Sequence, residues 1–368
     1  MKHKRLAVIF GGRSGEHVVS LRSAASIIDA IDKDAYEVIP IGITRKGTWL
    51  AGPDVWSALW ENRSSEHLNR AVLVTDPAAP GLLIQNGSSS RDWTFQPLDL
   101  VFPVLHGTYG EDGTIQGLLE MAGLPYVGAG VLASSVAMDK AVMKIFFEHH
   151  ALPVASYLYF NRSQWKEDHL YWQERIEKEL GYPCFVKPAN LGSSVGVSKV
   201  HDGTELTESV EAALLYDDKI IVEAYVEGRE LECSVLGDIN PVASRPGEVV
   251  PCNEFYDYRA KYVDDRSELI IPVELEEQTE KKIREYSIKA FQAVEASGLA
   301  RVDFFLQSHP YRLFINEINT MPGFTSISMY PKLWEASGIK YCKLIGRLLE
   351  IAEGRFKRKQ ALLFAPPE

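Results

Sequence analysis

Strand-like and helix-like patterns alternate through residues 1–129, and this alternation restricts the start of the chain to a layered α/β fold. "RLAVIFGG" is a buried strand, "SLRSAASIIDAI" a helix, "EVIPIGIT" a second strand and "LDLVFPVLHG" a third, before helix "TIQGLLEMAG" and strand "LPYVGAG". Strands joined through helices predict a parallel, doubly wound sheet, whose ligands bind beyond the carboxyl ends of the strands. Two turns stand there, "GGRSGEH" at 11–17 and "HGTYGEDG" at 106–113. The first lacks the G-x-G-x-x-G spacing of a dinucleotide fingerprint, so a nicotinamide cofactor is not expected.

A chain of 368 residues has room for two or three domains. A second region, 130–227, opens on "SSVAMDKAVMKIFFEHH", read as one amphipathic helix after a Ser-Ser cap. Strand "PCFVKPA", a Gly/Ser loop, strand "GVSKV", a helix through "ELTESVEAALLY" and strand "KIIVEAYV" complete a small α+β unit. The third region, 228–368, holds strands "ELECSVLG" and "GEVVPC", a polar loop at 255–268, a helix near 277–297, a hairpin at 300–318 and a closing helix. The stretch "QNGSSSRDW" at 85–93 reads as a surface loop.

Charge and cysteine usage narrow the partners. The 39 basic residues are outnumbered by 50 acidic ones, and no Lys/Arg-dense stripe appears, which argues against nucleic acid. No window approaches the ~18 apolar residues of a membrane span, and the basic N-terminus lacks a signal-peptide core. Cys184, Cys233, Cys252 and Cys342 are scattered without a Cys-x-x-Cys pair. Reduced thiols in a cytoplasmic protein are therefore expected, without zinc.

Three stretches carry chemistry. In the hairpin "ARVDFFLQSHPYRLFINEINT", a turn centred near His309 sets Arg301 opposite Glu317. Alternation along the strands then puts Arg301, Asp303, Glu317 and Asn319 on one face. Two carboxylates and a carboxamide suit a hard divalent cation such as Mg²⁺, completed by phosphate oxygens; a half-exposed polar ladder has the same pattern. There is no G-x-x-x-x-G-K-[ST] P-loop, but Lys140 and Lys187 can neutralise phosphates. Strand "KIIVEAYVEGRELE" offers Glu223, a backbone hinge at Tyr225–Val226 that can read the adenine edge, and Glu230 for ribose hydroxyls; each is singly also a plain surface charge. The loop in "FVKPANLGSSVGVSK", with Ser193 and Ser194, is either a flexible connection or a cradle of backbone N–H groups that covers phosphates and closes as a lid.

The order of "FGGRSGEHVVSL", "HGTYGEDGTIQG", "MDK", "FVKPANLGSSVGVSKV", "VEAYVEGRELE", "KY", "ARVDFF" and "NEINTMPGFTSISMYPKL" resembles that of the D-alanine–D-alanine ligases of the ATP-grasp superfamily, from residue 5 to about 350. The resemblance implies a three-domain α/β and α+β ATP-grasp architecture, divided 1–129, 130–227 and 228–368, with a mobile loop at 255–268. It implies ATP at Lys140, Lys187, Ser193, Ser194, Glu223, Tyr225, Val226, Glu230 and Phe305, and two Mg²⁺ (or Mn²⁺) at Asp303, Glu317 and Asn319. Glu16 would grip the first D-alanine's ammonium with Ser193 and Tyr262. Arg301 and the Gly323 amide would stabilise the oxyanion. Lys261, Ser328 and the Met329 backbone would hold the second carboxylate; Met329 stands where many members have Leu. His106 and Glu111 fall in matching positions, His106 among the substrate contacts. The implied reaction joins two D-alanines through an acylphosphate, releasing ADP and phosphate, for peptidoglycan precursor synthesis, in a cytoplasmic homodimer.

Two rivals remain. A D-alanine–D-lactate ligase would make an ester; such relatives replace the tyrosine of the "KY" pair, which Tyr262 retains. A regulator that binds ATP without turnover would not need the metal ligands and Arg301.

Overall fold

The computed structural model describes residues 3–64, 66–87, 91–250 and 268–363. Its strands form three sheets among the described residues. The first has the order β6-β5-β4-β3-β2-β1-β7, with β1 Lys4–Gly11, β2 Tyr36–Ile43, β3 Trp49–Ala51, β4 Asn69–Val74, β5 Gly81–Gln85, β6 Trp93–Pro97 and β7 Leu100–Val104. The buried runs of β1, β2 and β7 pair in parallel, as the helix–strand alternation predicts. Beyond β2 the sheet continues antiparallel through β3 to β6. These strands are short or half-exposed, so helix–strand alternation alone does not reveal them. The expected strand at "LPYVGAG" is reduced to a bridge between Val101 and Tyr126.

Helix α1 (His17–Ala30) lies on one face of this sheet. The same core, with Leu6, Val8, Phe10 and Leu21, takes in Phe324, Tyr330 and the closing helix's Leu344, Ile345 and Leu348. The end of the chain therefore packs on its beginning. Helices α2 (Val55–Trp60) and α3 (Thr114–Met121) flank the sheet.

The stretch from Val131 to His149 is not one helix. Helix α4 (Val131–Met138) stops at Asp139, whose carboxylate accepts hydrogen bonds from the Ala141 and Val142 amides and caps α5 (Lys140–His149). The Ser-Ser pair, Ser134 and Ser135, lies inside α4, and the cap is Asp139, at the extended position before α5. The break presents the first residue of α5, Lys140, to the loop that follows the second sheet's central strand.

That second sheet has the order β10-β9-β11-β8, with β8 Tyr157–Asn161, β9 Cys184–Pro188, β10 Ser198–Val200 and β11 Lys219–Ala224. It is antiparallel and covered by α6 (Arg162–Glu167), α7 (His169–Glu179) and α8 (Gly203–Ala213) over Phe160, Trp165, Trp172 and Val222. The third sheet runs β15-β14-β12-β16-β17, with β13 (Val242–Ala243) beside β12. Its strands are β12 Arg229–Gly237, β14 Gly247–Val250, β15 Glu268–Ile270, β16 Gly298–Ser308 and β17 Tyr311–Asn319. Helix α9 (Glu277–Ala293) and the α4–α5 pair share its core. Helices α10 (Met329–Ala336) and α11 (Tyr341–Gln360) close the chain.

Candidate active site

The hairpin register differs from the sequence expectation. Arg301 pairs with Asn319 and Asp303 with Glu317, because an irregularity follows Asp303: Phe304 opposes Ile315, leaving Asn316 as the extra residue. Near the turn, Ser308 opposes Tyr311, so a regular ladder would have put Asn316 opposite Asp303. The bulge moves Glu317 and Asn319 by one residue and thereby onto the face of Asp303. The shared face is present, but the bulge creates it.

On the other side of β16, Glu232 opposes Asp303 and Glu230 opposes Phe305. Glu232, Asp303 and Glu317 therefore form one carboxylate row across β12, β16 and β17. Like charges placed opposite one another repel, so this row requires cations. Arg301 supplies one: its Nε and Nη2 donate to the Asp303 oxygens at 2.7 Å each, and its Nε lies 2.9 Å from Glu232. Burial alone would lower the Arg301 pKa, but Asp303 and Glu232 hold it well above its ordinary value. Lys140 supplies the second, 3.9 Å from Glu317, while donating to the Leu191 carbonyl at 2.7 Å. Among the described residues no set of three His, Cys, Asp or Glu side chains forms a closed metal cage.

A second charged group lies on β9 and β11. Lys187 donates to Glu223 at 2.5 Å, and the buried Lys144 is 3.1 Å from the other Glu223 oxygen. Burial pushes the Glu223 carboxyl upward, but the two lysines outweigh it and hold it down at about 2. Burial lowers the Lys144 pKa, opposed by Glu223. Lys144 is absent from the sequence reading; its position one turn from Lys140 on an amphipathic helix is the signal that could have found it. Glu232 was missed in the same way, two residues from Glu230 on one strand.

The Gly/Ser loop is ordered by its neighbours. Ser193 and Ser194 take positive φ values of 55° and 57°, and the Ser193 hydroxyl donates to Glu16. The Glu16 carboxylate is fitted between glycines: a Cβ on Gly107 would come within 2.5 Å of it, and one on Gly192 within 2.9 Å. Glu111 is buried nearby, accepting from the Gly107 amide at 2.5 Å and the Met321 amide at 3.2 Å. Burial, reinforced by Glu16, raises its pKa well above the carboxylate range. His106 is buried with both ring nitrogens engaged by protein groups.

These groups surround two cavities. One of about 350 Å³ is lined by Phe185, Lys187, Ser194, Glu223, Tyr225, Val226, Glu230, Asp303 and Phe305. The other, about 610 Å³, is lined by Glu16, His106, Glu111, Arg301, Asn319, Gly323, Ser328 and Met329. Lys140, Gly192, Ser193, Glu232, Val249 and Glu317 line both. The structure thus gathers every described candidate residue around one connected space. Lys261, Tyr262 and the loop 255–268 before Glu268 lie outside the described residues. The smaller cavity is lined by the aromatic Phe185, Tyr225 and Phe305 and by the cationic Lys140 and Lys187, a lining complementary to a purine nucleotide. The larger sets Glu16, Arg301 and Ser328 among apolar side chains, which suits small charged molecules such as amino acids.

Comparison with known proteins identifies the family. A family model described as the D-ala D-ala ligase N-terminus matches residues 5–129, and one described as the D-ala D-ala ligase C-terminus matches residues 146–350. A D-alanine--D-alanine ligase of Natranaerobius thermophilus is 47% identical over 365 residues, covering 98% of this chain and 97% of that protein. One of Acetivibrio thermocellus is 50% identical over 363 residues, covering 96% of each. Among solved structures, the VanG D-Ala:D-Ser ligase from Enterococcus faecalis superposes with a TM-score of 0.85 at 35% identity, over 95% of this chain and all of that one. The D-alanine-D-alanine ligase from Coxiella burnetii gives 0.82 at 35% identity, over 98% of this chain and 97% of that one.

Proposed function

The chain belongs to the D-alanine–D-alanine ligase family and joins two D-alanines with ATP for cell wall synthesis, and we propose that its two joined cavities divide that reaction between them. ATP occupies the smaller cavity and the two amino acids the larger. The observation that carries this reading is the shared wall of Lys140, Ser193, Glu232 and Glu317, where a γ-phosphoryl group and a carboxylate can meet.

A carboxylate is a poor electrophile because its oxide is a poor leaving group. Phosphorylation converts that oxygen into a leaving phosphate, and the second amine can then displace it. In our reading the Tyr225–Val226 backbone and Glu223 receive the adenine, Glu230 the ribose, and Phe305 the ring face. Lys140 and Lys187 neutralise the phosphates beneath Ser193 and Ser194. Asp303, Glu317 and Asn319 provide oxygen donors alone and too few to enclose a metal, which fits Mg²⁺ or Mn²⁺ completed by phosphate oxygens. Such ions, when bound, spread the charge of the transferring phosphoryl group. Glu16 holds the first ammonium, and Ser193 links that site to the phosphate loop. Arg301 and the Gly323 N–H stabilise the tetrahedral oxyanion, each donor contributing about 3 kcal/mol. Ser328 and Met329, with Lys261, receive the second carboxylate, and Tyr262 helps to strip the incoming ammonium of its proton. The acylphosphate hydrolyses if water enters, so the loops close before it forms.

The three-part division at 129 and 227, a homodimer and cytoplasmic residence complete the proposal; sedimentation tests the dimer. A D-Ala:D-Ser ligase is among the structural neighbours, so the experiment offers alternative second substrates. Phosphate release should be measured with D-alanine, L-alanine, D-serine and D-lactate, singly and in pairs. D-alanine alone is expected to support full turnover and to yield dipeptide. Turnover only when D-lactate or D-serine is added would reassign the second site.

A further inference from the structure

The turn that carries Gly323 is held by a hydrogen-bond chain that none of the roles above includes. The Ser23 side chain, on α1 and fully buried, lies 3.0 Å from His106 Nε2 and accepts from the Phe324 amide at 3.1 Å. The other ring nitrogen, His106 Nδ1, is 2.7 Å from the Met321 carbonyl. On the far side of the turn, the Tyr341 hydroxyl donates to the Phe324 carbonyl at 2.6 Å, and the Met321 amide donates to Asn319 at 2.9 Å. Residues 321–324 are thus fixed at both ends, with Gly323 between the fixed points.

Proton accounting selects one arrangement. A carbonyl only accepts, so His106 Nδ1 carries a hydrogen and donates it to Met321. In the neutral ring Nε2 is then an acceptor, and the Ser23 hydroxyl donates to it while its lone pair receives the Phe324 N–H. Every donor and acceptor is satisfied. A hydrogen on Nε2 would turn the Ser23 hydroxyl away, leaving its hydrogen without a partner in a buried site.

We propose that Ser23 and His106, the latter neutral with its hydrogen on Nδ1, are positioning residues that aim the Gly323 N–H at the oxyanion. This rests on the reading of Gly323 given above. It makes His106 a support for the turn, with neither nitrogen left for substrate. It also ties the oxyanion donor to α1, the helix whose first turn follows Glu16, so first-substrate grip and oxyanion stabilisation share one rigid element.

The test uses the full-length enzyme. Ser23→Ala is expected to lower kcat about tenfold or more, with ATP affinity and the KM for the first D-alanine within about twofold, because a displaced oxyanion donor acts on the transition state and little on the ground state. A phosphinate dipeptide analogue, tetrahedral where the oxyanion forms, should lose affinity in proportion to kcat/KM. A merely structural Ser23 would instead weaken ATP, D-alanine and analogue together, and that result would overturn the proposal. Wild-type ¹⁵N spectra at pH 7.5 should show His106 with a protonated Nδ1 and an unprotonated Nε2. An Nε2–H tautomer or an imidazolium would also overturn it, even where the analogue binds wild type well. Absence of dipeptide synthesis by wild type would instead remove the functional reading and this proposal with it.

Discussion

Arg301 and Asp303, two residues apart on one strand, are joined by two 2.7 Å hydrogen bonds, and Asp303 is also a candidate metal ligand. Arg301 is in turn shared with Glu232, directly across the sheet. The same carboxylate thus faces two cations in competition, and Glu232 is the group that can retain Arg301 when Asp303 turns to a metal.

Glu232→Gln should make that competition harder for the metal. With the charge of Glu232 gone, Arg301 holds Asp303 more tightly, and the Mg²⁺ concentration for half-maximal activity should rise about tenfold. A Mg²⁺ titration at saturating ATP and D-alanine reads it. An unchanged midpoint would show that Glu232 does not share Arg301 in the working enzyme.

Glu317→Gln retains the shape and removes the charge opposite Asp303 and beside Lys140. Turnover should fall by about 100-fold or more, with the melting temperature nearly unchanged, since lost transition-state charge stabilisation costs rate and not folding. Near-normal turnover in saturating Mg²⁺ would remove Glu317 from the reacting phosphate.

Gly107→Ala tests the cradle around Glu16. Gly107 has φ 73°, and an added Cβ would lie 2.5 Å from the Glu16 carboxylate and 2.7 Å from Ser14. The variant should raise the KM for the first D-alanine about tenfold, equivalent to about 1.4 kcal/mol, with little change in ATP affinity. Equal losses for both substrates would mean that the turn itself had collapsed.

Glu223→Gln leaves Lys144 buried without its counter-charge and should destabilise the fold by about 3–5 kcal/mol at neutral pH. The wild-type carboxyl is held at about 2 against an ordinary 4.5, so its contribution is complete above 4.5 and is lost as pH falls towards 2. Urea midpoints of wild type and variant should therefore differ most near neutrality and converge in acid. A gap that stays constant down to about pH 2.5 would show that the charge of Glu223 is not what Lys144 needs.

Protease sensitivity reports on the "GSSVG" loop at residues 192–196. Cleavage should be slower with ATP and a substrate analogue than in the free protein, because closure over phosphates removes the loop from solution. Equal rates would return it to a plain connection.

The local patterns were legible because they need only neighbours in sequence. The parallel strands β1, β2 and β7 announced themselves as apolar runs, and the motif order carried the family and thus the candidate residues. The break at Asp139 is local as well, because its own carboxylate caps the next helix. Other features depend on distant segments. The bulge after Asp303 decides which face Glu317 takes, and strand alternation alone cannot place an inserted residue. Lys144 gains meaning only from Glu223 on another strand, and Ser23 only from the turn at 321–324, which α11 brings against α1. Sequence determined the chemistry available, because side-chain type and local periodicity are written residue by residue. The tertiary structure decided which groups share charge, because pairing across hundreds of residues is set by how the sheets and helices pack.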